Sequence, residues 1–323
     1  MAKFKRFSMK KATITSAVLM VLCVLAAAGC GSGAWSSTGG AISSSAATCL
    51  VYDSAHNLLY AGTDMQGVWK YDGATWKDTG TGGKGKGILS LAYDSGHNFM
   101  YAGTMAGAVL KYDGASWIDI SDMISGLGGI NALAYDATHN LLYAAVGGRG
   151  IFRYDGMSWK DTGGALSDAG YGASSLALDP TRNLLYAGTD GHGIWKYDGS
   201  SWTDTGGAIS GEEFVRGLAC DTAHNLLYAG TGSRGVWKYD GAAWTSTGGV
   251  VANFKVFAVT YDGAHGILYA GPGGQWAWKY EGTNWTDTGG ATSGWIYALA
   301  YDPVHNVLYA GTNSRGVWLY KGK

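Results

Sequence analysis

The chain has 323 residues, including 54 Gly, 3 Pro, 4 Cys, 14 Trp and 21 Tyr, and a formal net charge of -1. Five of its 23 Lys+Arg lie in the first eleven residues, where there is no acid, so the remainder carries 18 against 24 Asp+Glu, a net charge of -6. Phosphate binding needs a basic footprint, so no nucleic acid partner is expected; abundant Gly with scarce Pro points to tight turns.

The first element is a leader. Lys3, Lys5, Arg6, Lys10 and Lys11 precede an apolar run from Ala17 to Ala28, and Ala27-Ala28-Gly29-Cys30 closes it. The run is too short to span a bilayer and reads as a secretory signal over 1–29. With Ala27 where Leu is commoner, it resembles the lipobox of bacterial lipoproteins. That resemblance implies lipidation of Cys30, a spacer over 30–33, and attachment to the cell envelope by membrane-inserted acyl chains. Gly31, which is not the aspartate that favours inner-membrane retention, implies the outer membrane, facing the periplasm or the surface. Cys23 leaves with the leader; Cys49 and Cys220 occupy different columns of distant repeats and are expected as two free buried thiols.

A repeat governs the rest. Tyr60, Tyr101, Tyr143, Tyr186, Tyr228, Tyr269 and Tyr309 stand in LLYAGT-like strings spaced 40 to 43 residues apart, the period of four short strands. Each unit reads LAYD, a turn around HN, LLYAGT, a second turn, GVWKY, an Asp-Gly turn, then WTDTGG. Alternating apolar residues bounded by Gly, Asn and Asp are strand and hairpin signals. The last unit ends at Lys323 without its WTDTGG strand, whereas AWSSTGG stands alone at 34–40. That N-terminal strand is predicted to complete the last blade beside residues 316–321 and close the ring. The predicted fold over 34–323 is all-β, a seven-bladed β-propeller of four-stranded blades. Stretches such as Leu299 to Thr312 and Gly193 to Tyr197 resemble the propeller repeats in sensor regions of bacterial two-component regulators. The resemblance supplies a fold and no function.

Residues present in every blade are read as building the blade. His56, His97, His139, His224, His265 and His305 share one turn position; Asp53, Asp94, Asp136, Asp179, Asp221, Asp262 and Asp302 share another, where a carboxylate holds the turn through its backbone. Residues 80–87, GTGGKGKG, imitate a phosphate loop, but a strand pattern follows where a helix N-terminus is required. No motif calls for a cofactor or a metal.

What departs from the repeat is the candidate site. Trp276, Trp295, Tyr171 and Tyr297, with Phe214, Phe254 and Phe257, fall outside the aromatic columns. They lie in or beside two connections, the turn after YAGT and the loop after TGG, which in propellers generally share the ligand face. Six residues after each anchoring tyrosine stand Gln66, Gly107, Arg149, His192, Arg234, Gln275 and Arg315. They are either donors around the channel mouth, suited to anionic or hydroxylated ligands, or exposed turns that tolerate any residue. Trp276, Trp295 and Tyr297 are expected either to form one patch with Arg315 at its edge or merely to plug gaps between blades.

Three functions are compatible with this pattern. The first is a lipid-tethered, non-enzymatic binding module presenting that face to a glycan or protein partner. The second is an envelope lyase or hydrolase with His192 as base and Glu212 or Glu213 as acid, which requires those groups within hydrogen-bond reach. The third is a purely structural envelope component.

Overall fold

A computed structural model describes residues 35–81, 87–207, 209, 213–290 and 294–322. Cys30 with the predicted leader and spacer, Glu212, and most of the Gly-rich string at 80–87 lie outside them. The described residues contain seven four-stranded antiparallel sheets. The first begins with Ala47–Asp53 at the inside, continues through Leu58–Thr63 and Val68–Tyr71, and ends with Trp76–Asp78 at the rim. Five more repeat that order, and the seventh takes Ile296–Asp302, Val307–Thr312 and Val317–Lys321 from the end of the chain. Its rim strand is Trp35–Ser37, paired as Trp35 with Tyr320, Ser36 with Leu319 and Ser37 with Trp318. The predicted seven-bladed ring and its N-terminal closure are what the chain forms.

The repeated residues explain themselves locally. In the turn between first and second strands, Asp53 accepts from the backbone amides of Ala55 and His56 and from the His56 ring at 2.7 Å. Five other blades repeat the Asp–His pair, and in the fourth Arg182 takes the histidine's place, its Nε 2.6 Å from Asp179. The following Asn sits in the left-handed region, as Asn57 does at φ 55, and the sixth blade substitutes Gly266 at φ 69. Asn and Gly are the residues that adopt that conformation at least cost.

Blades are held to one another at the rim. Each rim-strand Trp packs on the third-strand Tyr of its own blade, with ring centroids 4.9 to 5.3 Å apart. Its indole N–H then crosses to the preceding blade: Trp76 donates to Thr38 Oγ1, Trp117 to Thr79, Trp202 to Thr162, Trp244 to Thr205 and Trp285 to Thr247. Trp159 uses the Ile120 carbonyl, because the second blade has WIDIS where the others have threonine. Trp35 completes the circle on Thr288 at 3.0 Å. The N-terminal strand thus closes a ladder and a ring of side-chain hydrogen bonds together.

Candidate functional site

The first strand of every blade carries a β-bulge at its second residue. In the first blade Ala47 pairs with Thr63 and Cys49 with Gly62, so Thr48 stands out of register. The same slip frees Leu89, Asn131, Ser174, Arg216, Phe257 and Tyr297. A bulge leaves its extra residue outside the ladder and re-aims its side chain. These seven residues, joined by Asp190 and Trp295, line one depression of about 580 Å³ at the mouth of the central channel.

Each lies twelve positions before an anchoring tyrosine, between a buried apolar neighbour and a small one. Sequence reasoning sorted the aromatics of this column as irregular and overlooked the column itself. The only signal was its variation in chemistry at a fixed place, which period-two alternation conceals.

The mouth has two unlike walls. Blades six and seven supply rings: Phe257 stacks on Trp295 at 5.2 Å and 22°, with Tyr297 edge-on to Phe257 at 6.0 Å. Trp295 remains 43% exposed although its backbone is pinned by Asn313, so the ring is presented and its position is fixed. Blades three to five supply polar groups. Asn131 Nδ2 donates to the Ala173 carbonyl at 3.1 Å, and Ser174 Oγ to the Val215 carbonyl at 2.8 Å, each reaching to the next blade. Asp190 Oδ1 is buried without a hydrogen-bond partner among the described residues. Arg216 is exposed, its guanidinium 5.5 Å from the Phe214 ring centre. An apolar ring surface opposite hydrogen-bonding groups suits a ligand with both C–H faces and hydroxyls. Cys49 lies deeper in the channel wall, and burial pushes its thiol up to about 12. Burial does the same to Cys220, and both thiols are free.

The structure places the other sequence-predicted residues elsewhere. Trp276 does not join Trp295 and Tyr297. It is 8% exposed, 5.0 Å from Trp35 and 5.9 Å from Trp318, wedged against the closing strand. A residue in a turn beside the mouth thus became a rim-packing residue, because its ring folds outward over Gly290. Gln66, Arg149, His192, Arg234, Gln275 and Arg315 sit in turns one strand farther from the axis and are not among the residues lining the mouth. Their shared role is in the backbone: a threonine three residues earlier accepts from the amide of Gln66, His192, Arg234 and Arg315. Arg149, His192, Arg234, Gln275 and Arg315 are exposed.

Tyr171, on the blade-three to blade-four connection, and His192, in the turn between the second and third strands of blade four, are brought together, their rings parallel within 10° and 3.6 Å apart. Glu213 is buried, and its two oxygens take the amide and hydroxyl of Ser233 at 2.5 and 2.7 Å, with Arg234 Nε at 3.7 Å. Its carboxylate braces the fifth-blade turn. Among the described residues there is no cluster of three His, Cys, Asp or Glu able to hold a metal ion.

No protein-family model and no curated protein matches this chain. Solved structures do match it in fold. The GH74 xyloglucanase of Xanthomonas campestris aligns with TM-score 0.71 at 17% identity over 90% of this chain and 54% of its own. A GH74 enzyme of Niastella koreensis gives 0.71 at 16%, again over 54% of that chain. The WD40 repeats of RRP9 align at 0.73 and 13% over 90% of this chain and 99% of theirs. The chain spans about half the length of the two GH74 enzymes, and likeness at these identities establishes a shared β-propeller fold.

Proposed function

We propose that the chain is a lipid-anchored binding module of the cell envelope that receives a glycan at its channel mouth. The observation that carries this reading is the asymmetric ring: Phe257, Trp295 and Tyr297 on one wall, and Asn131, Ser174, Arg216 and the unpartnered Asp190 oxygen opposite. A sugar ring laid on Trp295 buries its C–H face, and its hydroxyls then supply the donor that Asp190 lacks. A fold neighbour is named as a xyloglucanase, which supports the class of ligand and not its identity. Among the described residues Glu213 is committed to Ser233, which favours binding without turnover over a hydrolase that uses His192 with Glu213. Acylation at Cys30 would tether the module and leave only residues 31–33 between lipid and propeller.

A glycan array on the purified propeller, followed by calorimetry of retained sugars, tests the ligand. Trp295→Ala and Asp190→Asn are each expected to weaken binding about tenfold or more. Retention of no glycan, or binding indifferent to Trp295→Ala, overturns the proposal. Cys30→Ser tests the tether: the protein should leave the membrane fraction and lose its acyl mass.

A further inference from the structure

The seam between neighbouring blades on the face opposite the mouth follows one rule with two exceptions. Eight residues before each anchoring tyrosine stand Tyr52, Tyr93, Tyr135, Leu178, Cys220, Tyr261 and Tyr301. Tyr52, Tyr135, Tyr261 and Tyr301 stack on the anchoring tyrosine of the preceding blade, with centroids 5.8 to 6.3 Å apart. Their hydroxyls reach the preceding blade's Asp–His pair: Tyr93 lies 3.4 Å from His56 Nδ1 and Tyr301 3.3 Å from His265 Nδ1. Burial first, and then the neighbouring aspartate, raises the pKa of all five phenols. These hydroxyls therefore stay protonated beside the carboxylate, and those of Tyr52, Tyr93, Tyr135 and Tyr301 donate to the Asn Oδ1 of their own blade.

At the seam between blades four and five, Cys220 stands in the tyrosine's place and the loss is compensated. Arg182 replaces the histidine, binds Asp179 through Nε, and lays its guanidinium 6.0 Å from the Tyr186 ring centre. Asp179 stays fully buried. Between blades three and four, Leu178 stands there, and Tyr143 meets Tyr197 edge-on at 6.4 Å in place of a stacked tyrosine. Asp136 is 9% exposed, whereas its six counterparts are at 0 or 1%. A cavity of about 520 Å³ opens over it, lined by Tyr143, Leu178, His139, Arg153 and Tyr197; the corresponding groove with Tyr93 in place is about 180 Å³.

We propose that this cavity is a binding site for a small phenol bearing an anionic substituent. The aromatic ring occupies the place of the absent tyrosine against Tyr143, the hydroxyl donates to the Asp136 carboxylate, and the substituent faces Arg153. The site volume is in the range that holds small molecules, about 300 to 1,000 Å³. A hydroxyl donating to a carboxylate is a strong, charge-assisted bond, and a cavity left by a missing side chain is what a ligand of that side chain's shape fills.

The probe is 4-hydroxyphenylacetate, with phenylacetate as the analogue lacking the hydroxyl and 4-methylphenol as the analogue lacking the anion. Calorimetry and saturation-transfer NMR on the propeller should show saturable binding of 4-hydroxyphenylacetate, about tenfold or more tighter than phenylacetate. Leu178→Tyr should abolish that binding and raise the melting midpoint, because it restores the side chain the other seams carry. Arg153→Gln should weaken 4-hydroxyphenylacetate while leaving 4-methylphenol unchanged, which keeps the test decisive if the tyrosine variant folds poorly. No saturation at millimolar probe, equal binding of phenylacetate, or binding that survives both substitutions overturns the proposal. Trp295→Ala leaves this binding unchanged, so the outcome is independent of the glycan site.

Discussion

The rim of the propeller and the mouth of its channel are built from the same seven repeats and obey opposite rules. At the rim every blade offers the same Trp, Tyr and hydrogen-bond acceptor, and only Ile120 departs from threonine. At the mouth the seven bulged residues are Thr, Leu, Asn, Ser, Arg, Phe and Tyr, without one repeat. Identical residues are required where one blade must grip the next in the same way seven times. A position freed from the ladder and turned into the channel meets no such demand, so its chemistry is open to a ligand. Trp276 and Trp295 make the contrast concrete: both are surplus tryptophans of the sixth-to-seventh blade region, one 8% and the other 43% exposed.

The largest effect that would break this comparison is at the seam. Deleting residues 35–37 removes a strand, the Trp35 packing and the Trp35–Thr288 bond. The melting midpoint should fall by about 10 °C or more. A midpoint unchanged in calorimetry would mean that closure contributes nothing. Next, Trp276→Ala should destabilise by about 3 kcal/mol, the ordinary cost of emptying a buried aromatic site, while any ligand at the mouth binds as before. Trp295→Ala sharpens the contrast by reversing it: denaturant titration should show a loss of about 1 kcal/mol or less, with the affinity loss carrying the phenotype.

Acid should act on the turns between third and fourth strands. Asp198 is held down to about 2, first by Ser200 and then by the Ser201 and Ser200 amides. Asp113, Asp155 and Asp240 are lowered by the backbone amides of the same turn. A folded pKa below the unfolded value of 3.8 gives stability that is present above pH 4 and is lost as pH falls through about 2. Asp198→Asn should flatten part of that decline in melting curves taken from pH 6 to pH 2. The smallest effect concerns the thiols. With both pKa values raised to about 12 by burial, Cys49 and Cys220 should resist a disulfide reagent at pH 8 until the protein unfolds.

The sequence by itself determined the number of blades, the strands in each, and the orphan AWSSTGG that closes the ring. These are properties each repeat has in common with its neighbours, and a column of like residues reports a like environment. The Asp–His turns and the rim tryptophans were legible for the same reason. Only the tertiary structure decided which unlike residues face a ligand. The bulge that frees Thr48 and its six counterparts depends on pairing register, and whether Trp276 points inward or outward depends on Trp35, which lies 241 positions away in the chain. The cavity over Asp136 needs still more: it exists because residue 178 is leucine and because, among the described residues, no side chain fills the place as Arg182 does one seam later. Contacts between blades join residues about forty positions apart through side-chain packing, and a missing partner leaves a mark there that no single repeat contains.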